Sequence, residues 1–517
     1  MRILLWHGWL LEGAGSNIYT ARVAQELAAA GHDVLLVCQE RHPERYPWID
    51  AWGTIDGSTP PALTASGTPS GPGRCTLLRP DIGSLLPVFV LDEYEGFRVK
   101  RFVDLTDDEL ERYLARNAEL LAAAAKWHDS QLVVTGHAVP GGEIGRRALG
   151  SGRYVTKIHG SDLEYAIRPQ ARYRRLALDG LTAARAVTGS SSDVLARCAE
   201  LVPGIEDRLH VVPPGVDTDA FRPAPRRDAL LETAERLDRD PDAARGRPSS
   251  LDLDVAGALA RRDAEALDAL AEAYDQTAPD PDAAIRLRSL ADTRRDLVGY
   301  FGKLIPQKGV DLLLAGAARS ERRPAVLIVG FGRHREWLTA FELALREGDA
   351  EALRWLTGEG DLTCRVGGVR VHDAQIVFTG RLDHRYAPGA LAAMDVLVVP
   401  SLLDEAFGMV AIEGAAAGAL PLVARHSGLA EVAAALEDAV GRPGVFSFEP
   451  GVDAVREIAS GLDRLLSLPA PERAAMREAV RERVVAEWSW RRTAERLLAA
   501  AGAEAPSETR AARRGSY

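Results

Sequence analysis

Short apolar runs bounded by turn residues alternate with helical patterns twice along this 517-residue chain. Between the two series lie 73 residues, 224–296, with no strand-like run. A chain that repeats strand, helix, strand in this way builds parallel sheets from βαβ units. In the first series Ile3 to Trp6, Val34 to Cys38, Leu132 to Thr135, Tyr154 to Ile158, Ala186 to Thr188 and Leu209 to Val212 read as strands. Ile18 to Ala30 reads as a helix ending at Gly31, and the Gly-, Pro-, Ser- and Thr-rich stretch from Trp52 to Gly73 as a long surface loop. In the second series Leu297 to Phe301, Ala325 to Val329, Gln375 to Thr379, Val396 to Val399 and Pro421 to Val423 have the same character. Two α/β domains follow, as the length also requires.

The intervening segment carries 17 acids, 12 arginines and no lysine, with a single aromatic, Tyr274. Its helical stretches are broken by Asp-Pro and Gly-Arg-Pro, which predicts a partly mobile helical spacer between the domains, with a lid or partner role as the other reading. The last 15 residues or so, 503–517, are polar and basic and are expected to be a flexible tail. Net charge is −11, which argues against a nucleic-acid partner. Cys38, Cys75, Cys198 and Cys364 are scattered with no CxxC pair, as expected of reduced thiols. No apolar run reaches membrane-span length and no signal peptide is evident. The expected location is the cytoplasm, which leaves room for peripheral membrane contact.

Open parallel sheets bind ligands at the carboxyl ends of their strands, so the loops that follow strands are where chemistry is sought. Of 63 basic residues only five are lysine, and two of these, Lys303 and Lys308, share the segment Gly302-Lys303-Leu304-Ile305-Pro306-Gln307-Lys308-Gly309. A lysine is a compact point charge suited to phosphate. Gly13-Ala14-Gly15-Ser16-Asn17 is a glycine-rich turn before a helix, able to offer backbone N–H groups to an anion. In Pro400 to Gly414, Glu405 closes a post-strand loop, Phe407 and Gly408 sit at a helix N-terminus, and Glu413 falls about one and a half turns into that helix. Taken alone, Glu405 also suits a helix cap and Glu413 a surface position.

Glu405, seven residues, then Glu413, followed by Gly418 and Pro421, resembles the E-x7-E region of retaining GT-B glycosyltransferases of family 4. Three more landmarks stand in the family's order. They are the Lys303/Lys308 loop, the run His210-Val211-Val212-Pro213-Pro214-Gly215-Val216-Asp217 through Pro223, and Ile158-His159-Gly160-Ser161-Asp162-Leu163. The resemblance covers roughly 1–223 and 297–500. It implies a GT-B fold of two Rossmann-like domains facing an interdomain cleft: 1–223 for the acceptor and 297–487 for the nucleotide sugar. A final helix near 488–502, opening at Trp488-Ser489-Trp490, would return to the first domain, and 224–296 is a helical insertion.

The implied activity is transfer of a hexose from a nucleoside diphosphate sugar, UDP or GDP type, to an acceptor hydroxyl of unknown identity. The donor is a substrate; no cofactor is expected, and without a DxD-type motif no metal either. By resemblance His159, Lys308 and Glu405 are catalytic. Gly15, Lys303, Lys308, Arg381, Glu405, Phe407, Gly408 and Glu413 bind the donor, Arg381 where the family's backbone contacts the base and Glu413 at the ribose. Asn17, His137 and Asp162 are acceptor-side candidates. Two departures stand out: Ala406 replaces a frequent proline, and the family's paired glycines read Ser427-Gly428. The alternatives are a GT-B sugar-nucleotide epimerase, a phosphorylase, or a non-catalytic nucleotide-sugar binder. A nicotinamide dehydrogenase is disfavoured because Gly330-Phe331-Gly332 lacks a third glycine in register.

Overall fold

The computed structural model describes residues 1–66, 71–90, 94–358 and 375–502. Cys364 and the tail 503–517 lie outside these residues. The chain forms two units, 1–215 with 490–517, and 216–489.

The first unit is built on a nine-stranded sheet in the spatial order Leu209–Val211, Ala186–Gly189, Val155–Lys157, Leu132–Gly136, Arg2–Trp6, Asp33–Val37, Arg74–Pro80, Ala51–Ile55, Leu63–Ala65. All neighbours are parallel except the last pair. Ile3, Leu4, Val34, Leu35, Leu36 and Val155 are buried on both sheet faces, the unalternating apolar pattern of strands covered by helices on each side. Trp52–Gly73 is not simply a loop. Its first residues enter the sheet as a parallel strand and Leu63–Ala65 folds back onto it. Gly53 permits the pairing, since a Cβ there would stand 2.4 Å from the Ala62 carbonyl oxygen. The stretch looked like loop because its turn-forming residues outnumber its apolar ones. The final helix, Trp490–Ala500, belongs to this unit and packs on the helix Gly15–Ala29. Tyr19 and Trp490 meet edge-to-face at 6.1 Å, and Thr493 donates to the Pro213 carbonyl at 2.9 Å.

The second unit holds a six-stranded, all-parallel sheet in the order Ile376–Phe378, Ala325–Phe331, Leu297–Lys303, Val396–Val399, Leu420–Ala424, Ser447–Phe448. In each sheet the strand order reverses beside the first strand of the unit. The switch point lies between Arg2–Trp6 and Leu132–Gly136 in one, and between Leu297–Lys303 and Val396–Val399 in the other. Ligand crevices form at the carboxyl side of such points.

The segment 224–296 is not a spacer. It is part of the second unit. Its helices Arg226–Leu237, Leu251–Arg261, Ala264–Leu270 and Ala283–Ala291 bury Leu230, Leu237, Val255, Leu267, Leu287 and Leu290 in the same apolar core as the six-stranded sheet. Charges that read as a solvated surface are in fact paired. Arg247, 1% exposed, binds Glu336, 0% exposed, through Nε and Nη2 at 2.8 Å. Arg262 meets Asp349, and Arg226 meets Asp395.

Candidate active site

In the first unit three histidines follow the carboxyl ends of strands around the switch point: His7 after Arg2–Trp6, His137 after Leu132–Gly136, and His159 after Val155–Lys157. The rings of His137 and His159 are 4.4 Å apart between centroids, and His7 and His137 are 6.2 Å apart. Trp9 and Phe89 close on His137 at 4.6 and 5.0 Å. Asn17 fixes the state of His7. The Asn17 amide donates to the Glu12 carbonyl, so its oxygen is the acceptor for His7 Nε2–H at 2.9 Å. The Thr20 hydroxyl, which donates to the Ser16 carbonyl at 3.0 Å, lies 3.3 Å from His7 Nδ1. Burial pushes His7 down to about 4. Burial holds His137 and His159 well below the ordinary histidine range. All three rings are therefore neutral near pH 7, fit to hydrogen-bond hydroxyls and unfit to pair with phosphate. His137 sits at φ +70, in the left-handed region, and its buried Nδ1 has no partner among the described residues.

Asp162 is fully buried, and its carboxylate accepts from the amides of Ala138 at 2.6 Å, His159 at 3.1 Å and Leu163 at 3.1 Å. It ties the two histidine loops together. Of the acceptor-side candidates, Asp162 and Asn17 have their side chains hydrogen-bonded within the unit. Sequence reasoning missed His7, Tyr19 and Lys157. His7 carried a usable signal, since it follows the first strand directly.

Lys157 is 1% exposed and donates to Ser190 Oγ at 3.1 Å and the Val212 carbonyl at 3.0 Å, with its ammonium 4.8 Å from the Tyr19 ring. Burial lowers its pKa to about 7, with the Asp162 charge opposing. The unfolded chain thus holds a proton on this lysine that the folded chain has released between about pH 7 and pH 10, so stability rises with pH across that window. Lys157→Met is expected to flatten the rise in Tm between pH 7 and pH 10 measured by calorimetry. An unaltered slope would remove the assignment.

Gly15 opens the helix Gly15–Ala29, which has no side-chain cap and no acidic residue in its first turn. That leaves the positive end of the helix dipole unneutralised by side chains, the condition for holding an anion.

In the second unit three post-strand segments converge. Lys308 forms an ion pair with Glu405 Oε1, which also accepts from Ser401 Oγ at 2.8 Å. Leu402 N–H donates to the Gln307 carbonyl at 2.8 Å. Gly309, at φ +64, comes so close to the other loop that a Cβ would stand 2.3 Å from the Pro400 oxygen. The third segment holds Glu405 from behind. Glu405 N–H donates to Ser427 Oγ at 2.9 Å, Gly428 N–H donates to the Glu405 carbonyl at 3.0 Å, and His426 Nε2 donates to the Ser401 carbonyl at 2.7 Å.

Ser427 takes a left-handed conformation, φ +51, at a cost of about 1 kcal/mol. A serine in place of the first of the family's two glycines thus keeps the backbone path and adds a hydroxyl acceptor. Gly428 retains the close approach: a Cβ there would lie 2.7 Å from the Ala406 carbonyl carbon and from Phe407 Cα. Gly428→Ala must displace that loop and is expected to raise the donor KM by about tenfold or more. A steady-state KM within about twofold of wild type would refute the loop's role.

Gly408, φ +98, caps the helix Met409–Ala417 without a side-chain hydrogen bond, Phe407 is buried against Trp488, and Glu413 lies partly buried in that helix. Lys303 is exposed at its strand end, with its ammonium 5.9 Å from the centre of the Phe331 ring. The Arg381 guanidinium lies 5.1 Å from the same ring. The Arg381 amide donates to the Ala278 carbonyl at 3.3 Å, and the Gly380 carbonyl accepts from Gly330 N–H at 3.0 Å.

The structure thus gathers Lys303, Lys308, Arg381, Glu405, Phe407, Gly408 and Glu413 in the second unit, and Gly15, Asn17, His137, His159 and Asp162 in the first. Among the described residues no group of histidine, cysteine, aspartate and glutamate has metal-binding geometry, and no helix is long and apolar enough to cross a membrane.

Two parallel α/β units, each with its polar groups at a switch point, define the GT-B class of transferases. Comparison with known proteins agrees. The family described as Glycosyltransferase Family 4 matches residues 13–220, and Glycosyl transferases group 1 matches 371–483. A GDP-mannose-dependent alpha-(1-6)-phosphatidylinositol monomannoside mannosyltransferase of Mycolicibacterium smegmatis is 28% identical over 389 residues, covering 72% of this chain and 76% of the relative. The fold is shared with sucrose-phosphate synthase from Thermosynechococcus elongatus, at TM-score 0.53 and 18% identity, covering 96% of this chain and 97% of that one. It is shared also with Anabaena HepE solved with UDP and glucose, at TM-score 0.57 and 12% identity, covering 96% and 98%. The chain belongs to glycosyltransferase family 4 and is a glycosyltransferase.

Proposed function

We propose that the protein is a retaining hexosyltransferase that uses a nucleoside diphosphate sugar of GDP or UDP type and passes the sugar to an acceptor hydroxyl. The observation that carries this reading is the Lys308–Glu405 pair at the switch point of the second sheet, with exposed Lys303 at the end of the adjoining strand. Departure of a nucleoside diphosphate places negative charge where a site must supply cations. Lys303 and Lys308 supply two, and Gly408 and Gly15 begin helices without side-chain caps. Glu413 is given the ribose, His159 a hydroxyl of the transferred sugar, and His137 the acceptor side. The Glu405 carboxylate is engaged by Lys308 and Ser401, so it serves as a fixed countercharge and not as a free nucleophile. That favours attack on the face the diphosphate leaves, and with it retention.

The donor named for the Mycolicibacterium relative makes GDP-mannose the first to test, with an inositol mannolipid as first acceptor. Release of nucleoside diphosphate, acceptor-dependent and abolished in Glu413→Ala, is the expected result. Proton NMR of the product should show the donor's anomeric configuration. An inverted product overturns retention, and turnover of the sugar nucleotide alone to an epimer overturns the transferase reading.

A further inference from the structure

The segment 224–296 meets the second sheet at its carboxyl edge. Residues 278–280 pair with 379–381 as a short antiparallel bridge: Asp280 N–H donates to the Thr379 carbonyl at 2.8 Å, and Arg381 N–H donates to Ala278 at 3.3 Å. Gly380, φ +71, lets the two strips touch, since a Cβ would come 2.5 Å from Asp280 Oδ1. Asp280 is 2% exposed, and its carboxylate is held by Arg286 at 2.9 Å and Arg335 at 3.2 Å. Arg335, 4% exposed, lies with its guanidinium 4.2 Å from the centre of the Phe378 ring. The next residue, Glu336, receives Arg247 and the Tyr274 hydroxyl, both from the segment. Two adjacent helix residues of opposite charge thus grip the segment through two opposite partners, all out of water. A grip of this kind holds a geometry more than it adds stability, because desolvation offsets most of the attraction.

What it holds is Arg381. Along the carboxyl edge, moving away from Lys308, the groups met after Lys303 are the Phe331 ring and the Arg381 guanidinium that shares it. An aromatic face and a planar fork of donors are the pieces that stack on and hydrogen-bond a heteroaromatic base. Lys303 beside them suits the diphosphate to which such a base is joined.

We propose that the 224–296 segment is a working part of the donor site, in which Asp280 is a positioning residue that fixes Gly380–Arg381 and thereby sets which nucleobase the site prefers. This rests on the donor reading above. The interaction is selective for the base half of the ligand, so the test separates base from phosphate. Binding of GDP, UDP, ADP and inorganic pyrophosphate to the full chain is measured by calorimetry for wild type, Asp280→Asn, Arg286→Gln and Arg381→Ala. The expected result is a spread of Kd among the three nucleotides that shrinks by about tenfold in Asp280→Asn and Arg381→Ala, the loss of one polar contact in register, while pyrophosphate affinity stays within about twofold. Arg286→Gln, whose side chain is partly exposed, gives the same reading should Asp280→Asn not fold. A folded Asp280→Asn or Arg286→Gln with the wild-type spread overturns the proposal, as does a wild-type chain that binds the three nucleotides equally. A wild-type chain that binds none of them overturns the donor reading, a distinct outcome.

Discussion

Replacing Lys308 with alanine is expected to lower kcat/KM for donor turnover by about two to three orders of magnitude, the range seen when one preorganised group facing developing charge is removed. The lysine is placed by its neighbours. Gly309 turns the chain against the Pro400 carbonyl, and the ion pair to Glu405 draws the ammonium to the helix that starts at Gly408. Lys308→Arg keeps the charge but not the compact geometry and should recover only part of the rate. Glu405→Gln retains size and removes the countercharge; its deficit should appear mainly in kcat. The measurement is nucleoside diphosphate release under saturating and subsaturating donor. A Lys308→Ala enzyme within about threefold of wild type would remove the diphosphate assignment.

Replacing Asp162 with alanine is expected to be the most damaging change in the first unit. Three buried backbone amides lose their common acceptor, which costs about 3 kcal/mol and should lower Tm by roughly 5–10 °C. Activity should fall further than stability, because the amides of Ala138 and His159 position both histidine loops. A pH signature accompanies the loss. Burial raises the Asp162 carboxyl to about 7, against backbone hydrogen bonds that pull it down. The folded chain therefore keeps a proton that the unfolded chain releases between about pH 4 and pH 7, and stability falls as pH rises through that window. The alanine variant lacks this slope. Thermal melts from pH 4.5 to pH 7 that superimpose in shape for wild type and variant would show the carboxyl to be ordinary.

Much of this site could be read from residue order. Glu405 and Glu413 lie within one strand-to-helix passage, Lys303 and Lys308 within one loop, and His159 directly after a strand, so local spacing carried them. The surroundings of Asn17 and Asp162 were less legible. Their burial, and the Ala138 amide that reaches Asp162 from the loop of another strand, depend on packing that local spacing does not relate. The 224–296 segment was misjudged for a similar reason. Its arginines and acids look solvated one at a time, and their partners stand far away in sequence, Glu336 for Arg247 and Arg335 for Asp280.

By itself the sequence determined the two α/β series, most of their strands and the post-strand loops in which the candidate site lies, because strand and helix periodicities and turn residues act over a few positions. Tertiary structure alone decided that Lys308 meets Glu405, that His7, His137 and His159 share one neutral cluster, and that the charged segment is part of the second unit's core. Those are contacts between distant residues. They follow from which strands lie side by side and from which charges lose their water on folding, and neither is written in any local stretch of the chain.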